Sequence, residues 1–177
     1  MNTQLDAPVH SLDEHERGFV EAIREHGWFR TDVMADAEGP GFSYTTGLWQ
    51  GLQHPELIVF GLNGQTAHEI FWDVFRSIEA GEALPIGRPV ADVFGNALAY
   101  VLPVAEKYHA EYLGWSRWFY RGDGFPCVQI IWPDPEGRFP WNADFDPELK
   151  GFQPDLTELG WVQTVGGEGG AVRWRGA

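Results

Sequence analysis

The run ELIVFGL at residues 56–62 constrains this chain more than any other segment, because after Glu56 it offers no polar side chain on either face of an extended backbone. Strand side chains alternate between two faces, so a run apolar on both suits a strand that is covered on both sides. The flanking sequence holds elements able to provide the cover. Ser11 and Glu14 stand at capping-box spacing ahead of Phe19, Val20 and Ile23, which share a helical face that Gly27 closes. Asn63 caps a second predicted helix, in which Ala67, Ile70, Phe71, Val74, Phe75 and Ile78 recur at three- and four-residue intervals up to Gly81. A third helix is predicted over 105–120 with Tyr108, Tyr112, Trp115 and Phe119 on one side, and Gly114 weakens its middle.

Further strands are predicted over 28–33 and 42–49, over 90–94 and 96–103 joined at Gly95, and over 126–132, where Val128, Ile130 and Trp132 alternate before Pro133. Several strands at short spacing, about three helices and no regular strand–helix alternation argue for an α+β fold with a mainly antiparallel sheet. One globular domain is expected over 11–142, followed at 143–177 by an acidic and then glycine-rich tail that docks weakly.

Charge narrows the function classes. The formal net charge is −14 and the only lysines are Lys107 and Lys150, so a phosphate backbone or an anionic membrane would be repelled. The single cysteine, Cys127, excludes an internal disulfide and reads as a buried apolar residue. No signal-peptide pattern and no run of about 18 apolar residues is visible, which suggests a cytoplasmic protein. No His, Asp and Glu set has a recognised metal spacing, and neither a GxSxG nucleophile turn nor a phosphate-binding glycine loop is present.

Candidate chemistry concentrates in two dense motifs, GPGFSYTTGLW at 39–49 and GFPCVQIIWPDPEGRFPW at 124–141. Tyr44, Thr45 and Thr46 put hydroxyls on both faces of a strand ending at Gly47, either to line a ligand or simply as good strand formers. Trp49 can stack on a ligand ring or cap the core. His54 and Glu56 stand two residues apart as a base and its orienter, with a rigid corner at Pro55 as the alternative. Trp115, Arg117, Trp118, Tyr120 and Arg121 mix guanidinium groups with rings, which suits a planar anionic ligand, or else form an amphipathic helix with its rings in the core. Gln129 can read an amide edge, and Asp134 caps the turn after Pro133.

HGWF at 26–29, GPGFSYTTGLW, HPELIVFGL at 54–62, GWSRWFYRGDGFPCVQIIWPD at 114–134 and GRFPW at 137–141 closely resemble the bacterial family catalogued as domain of unknown function 4262, over about residues 17–142. The element order also resembles the split β-barrel of flavin reductases and pyridoxamine-phosphate oxidases. That resemblance implies flavin mononucleotide (FMN) as cofactor, oxidoreductase chemistry and a homodimer that shares the ligand site. A small-molecule-binding domain is therefore the leading expectation. The alternative is a non-catalytic interaction module, immunity-like or regulatory, whose acidic surface steers a basic partner.

Overall fold

The computed structural model describes residues 2–166 apart from 92 and 96. Helix α1 (Glu14–His26) starts at Asp13, whose carboxylate accepts the Glu16 amide while the Glu16 carboxylate accepts the Asp13 amide. The capping box thus lies two residues beyond Ser11, whose hydroxyl donates to the Pro8 carbonyl instead. Asp caps as well as Ser does and adds a negative charge that favours a helix N-terminus. Phe19, Val20 and Ile23 are buried, as their spacing predicts.

Strands β1 (Phe29–Val33), β2 (Phe42–Thr46) and β3 (Glu56–Phe60) form an antiparallel meander. The predicted strand through Trp49 stops early, and α2 (Leu48–Leu52) follows it. Gly47 causes this, since its φ of +120° turns the chain, and a Cβ there would lie 2.6 Å from the Gly27 carbonyl oxygen. Helix α3 (Gly64–Glu79) is capped by the Asn63 side chain, which accepts the Thr66 amide.

A second antiparallel meander follows, of β4 (Pro89–Val90), β5 (Ala99–Pro103) and β6 (Cys127–Ile131). Between β5 and β6 the single helix predicted over 105–120 divides into α4 (His109–Tyr112) and α5 (Gly114–Tyr120). Leu113, at φ −118° and ψ 40°, breaks the hydrogen-bond ladder immediately before Gly114. The last segment is α6 (Trp161–Gly166).

The strand order is β1-β2-β3-β6-β5-β4, so the two meanders join through one central parallel pair, β3 with β6. The architecture is α+β with a mainly antiparallel sheet, as expected. It departs from the split-barrel analogy because the sheet is open: β1 and β4 lie at opposite edges, and β4 contributes only two residues to any closure. Six α-helical segments occur among the described residues instead of about three, because α2 and α6 are too short for periodicity to reveal and the third predicted helix is split.

Strand β3 is buried on both faces, as its composition requires. Leu57 and Val59 pack with Phe71, Val101, Val128 and Ile130 on the α3 side. Ile58 and Phe60 pack with Phe19, Tyr44 and Phe119 on the other. Each such side chain contributes about 1.5–3 kcal/mol relative to exposure. Residues 143–166, read from sequence as tail, contribute Phe145, Gln153, Leu156 and Thr157 to the buried interior, while the glycine-rich 167–177 lies outside the described residues. The loop after β6 is organised by Asp134, which accepts from the Glu136 and Arg138 amides, the Arg138 guanidinium and the Asp146 amide.

Candidate functional site

The first dense motif and α5 converge on a buried carboxyl at the start of β3, and the second motif reaches the same point through Pro126, whose carbonyl accepts the Glu56 amide at 2.9 Å. Glu56, at the start of β3 and fully buried, accepts the Thr45 hydroxyl at 2.6 Å, the Gly47 amide at 2.9 Å, the Trp49 amide at 3.1 Å and the Tyr120 hydroxyl. Tyr120 in turn accepts the Gly47 and Gln50 amides, and Thr45 accepts the Leu57 amide. Burial raises the Glu56 pKa, and the four hydrogen bonds offset part of that effect. Thr46 and Ser116 share a hydrogen bond of 2.7 Å in the same interior. This network ties β2, α2, β3 and α5 together.

The other sequence-derived candidates are placed as follows. The Tyr44 hydroxyl accepts the Trp115 amide, and the Trp49 ring is buried in the core beside α1 and α5. Trp115 stacks on Phe19 at 5.5 Å, and Trp118 meets the same ring edge-on at 5.7 Å. Arg117 forks onto Asp123, through Nε at 2.6 Å and Nη2 at 3.2 Å. The Gln129 amide nitrogen donates to the Pro154 carbonyl. His54 does not join Glu56, because its Nδ1 lies 2.7 Å from the Pro55 carbonyl at the rigid corner.

Two surface recesses carry chemistry that the sequence reading did not single out. The first, of about 320 Å³, lies where the end of α1, β1 and α3 converge, and its lining includes His26, Trp28, Phe29, Arg30, His68 and Trp72. His68 and Trp72 are one turn apart on α3 and so share a helical face. Trp72 meets Trp28 edge-on at 5.4 Å, and the His68 ring lies 5.9 Å from Trp28. Trp28 is 4% exposed, and its indole N–H is buried without an acceptor. Arg30 is held in place by its bond to the Gly64 carbonyl at 2.6 Å and by Asp32 at 2.9 Å, which also accepts the Ser43 hydroxyl. Burial lowers the His68 pKa, Arg30 lowers it further, and Asp32 and Glu69 oppose both, so the neutral imidazole is favoured.

The second recess, of about 330 Å³, is lined by Val104, Glu106, His109, Asp123, Gly124, Phe125 and Pro126. Among the described residues, no three His, Cys, Asp or Glu side chains come together as metal ligands. No described helix is long and apolar enough to cross a membrane. A signal for the first recess was present in HGWFR, where His26, Trp28 and Arg30 recur at every second position, and in the His68–Trp72 spacing. The second joins residues from the start of α4 to the turn before β6, which no local pattern connects.

A model of the family described as Domain of unknown function (DUF4262) matches residues 22–146, well over half of the chain, and the chain belongs to that family. Neither the curated proteins nor the solved structures contain a match to it.

Proposed function

We propose that this member of the DUF4262 family is a small-molecule-binding domain whose ligand is a planar organic anion, seated in the recess formed by Trp28, Arg30, His68 and Trp72. The observation that carries the reading is the lining itself. In a chain of 26 Asp and Glu against 12 Lys and Arg, the lining of this recess has one arginine, two histidines and three aromatic rings and no carboxylate, with Asp32 standing behind Arg30 as its ion-pair partner. The recess at His109, the groove at Met34 and the depression at Arg76 each include at least one acid. Aromatic walls supply stacking area, a guanidinium attracts the charge, and the unpaired Trp28 indole N–H supplies a donor that a ligand acceptor would satisfy.

FMN belongs to this ligand class, having a flat ring and a phosphate, and is the probe that also tests the oxidoreductase reading. The test is a titration of the full chain with FMN and with 1-naphthoate, using 1-naphthylmethanol as the uncharged control, followed by calorimetry and Trp fluorescence. Saturable micromolar binding of at least one anion is expected, with the alcohol at least tenfold weaker. Trp72→Ala should reduce anion affinity tenfold or more. Absence of saturable binding, or an unchanged affinity in Trp72→Ala, would overturn the proposal.

A second reading, the interaction module, is favoured by a different observation. A groove of about 400 Å³ is lined by Val33, Met34, Phe42, Leu62 and Phe152, with Met34 84% exposed. Apolar grooves of this kind mark protein contacts. Recovery of one basic protein by the full chain at low salt, lost in Met34→Asp, is the expected result for that reading; equal recovery by the variant would count against it.

A further inference from the structure

His109 is 98% buried by its 2% exposure, yet neither ring nitrogen has a hydrogen-bond partner. A buried polar group left unpaired is costly, and native structures seldom keep one unless water, a ligand or chemistry makes use of it. The ring is well fixed. It stacks on Phe125 at 4.7 Å, and Phe125 stacks on Tyr120 at the same distance. Its Nδ1 stands 3.9 Å from Asp123 Oδ1, and the fork from Arg117 holds that carboxylate in place.

The recess beside it offers acceptors and negative charge. Asp123 and Glu106 line it, no lysine or arginine does, and the neighbouring Lys107 is engaged with Glu158. Burial lowers the His109 pKa, with Arg117 acting the same way and Asp123 and Glu106 opposing, so a neutral imidazole with one free acceptor nitrogen is favoured. Val104, Phe125 and Pro126 give the recess an apolar wall.

We infer that this recess is a second binding site, one that takes a small protonated primary amine carrying an apolar group. The ammonium donates to the free nitrogen of His109 and is balanced chiefly by Glu106, because Asp123 already shares its charge with Arg117, while the apolar group lies against Phe125 and Val104. The site is separate from the recess at Trp28, so neither proposal depends on the other.

The test is calorimetry of the full chain at pH 7.5 with benzylamine, which is protonated there, against benzyl alcohol, its uncharged counterpart. Heteronuclear NMR of the histidine rings provides the second readout. Benzylamine should bind saturably and at least tenfold more tightly than the alcohol, and it should shift the His109 ring resonances. Glu106→Gln, at an exposed position that leaves the fold intact, should weaken binding at least threefold, and Asp123→Asn should weaken it further. Added salt should reduce the affinity. Equal affinity for the two probes, no binding with unmoved His109 resonances, or full affinity in Glu106→Gln would each overturn the inference.

Discussion

Replacing Glu56 by Ala removes the acceptor on which four donors converge, and the outcome can be worked donor by donor. The Trp49 amide loses its acceptor, Glu56 Oε1 at 3.1 Å. A buried orphan N–H costs about 1–3 kcal/mol. The Gly47 amide keeps the Tyr120 hydroxyl at 3.2 Å, and the Thr45 and Tyr120 hydroxyls can rotate, so these three donors together lose about 1–2 kcal/mol. The deleted side-chain atoms leave a small cavity that adds roughly 1 kcal/mol. The total is about 4 kcal/mol, at the high end for a single substitution. In a chain of this length it corresponds to a fall on the order of 10 °C in Tm. Urea unfolding followed by Trp fluorescence and far-ultraviolet circular dichroism measures it. Glu56→Leu refills the volume without supplying an acceptor and should remain about 3 kcal/mol down, whereas Glu56→Gln keeps one oxygen and should lose only about 1–2 kcal/mol. If Glu56→Ala and Glu56→Leu both unfold within 1 kcal/mol of the wild type, on the order of experimental error in extrapolation, the hub is not what joins β2, α2 and α5 to the sheet.

Other expectations follow from the same interior. Because burial raises the Glu56 pKa above its ordinary 4.5, its contribution is fully present below that value and is lost as pH rises through the folded pKa. The wild type should therefore lose stability relative to Glu56→Gln as pH rises above about 4.5, and parallel denaturation curves across the range would contradict this. Burial likewise raises the pKa values of Tyr44 and Tyr120 above 10.0 and pushes Tyr112 up to about 12. Folded-state stability should fall as pH climbs past 10, with tyrosine ionisation, read by ultraviolet absorbance, lagging in the native protein and completing on unfolding. Early ionisation of all tyrosines with the fold intact would be the contrary result. Cys127 is buried with its thiol pKa raised well above the ordinary value, so a thiol reagent should label it only in denaturant; rapid native labelling would show an exposed sulfur. Gly47→Ala puts a Cβ 2.6 Å from the Gly27 oxygen at a φ of +120° and should cost about 3 kcal/mol or more, measured by the same urea assay; a near-neutral effect would mean that the turn relaxes freely.

Much of the scaffold is legible in the sequence, because its signals are local. The apolar run 56–62 demands a strand covered on both faces, and the spacing from Ala67 to Ile78 behind Asn63 specifies α3. The parallel pairing of β3 with β6 is not legible, since it joins strands about seventy residues apart and no short-range pattern encodes their register. The same distinction divides the site. Tyr44, Thr45, Thr46, Glu56 and Tyr120 stand out as polar residues of strands and of an aromatic-rich helix, and they do come together, with their hydroxyls and carboxyl hydrogen-bonded inside the core, while Trp49 joins them through its backbone amide and keeps its indole N–H unpartnered. Residue type alone cannot tell a group that awaits a ligand from one already paired. Trp28 and His109 become candidates only once the fold places them at surface recesses with their ring nitrogens unpartnered.

The most direct test of the ligand-binding claim is the Trp28 indole ¹⁵N–¹H resonance, observed in the full chain while 1-naphthoate or FMN is added. A saturable shift of that resonance together with that of Trp72 is expected, because the ligand acceptor takes up the unpaired N–H. Saturable binding that moves other indole signals and leaves Trp28 and Trp72 unchanged would place the ligand outside this recess and refute its assignment as the binding site.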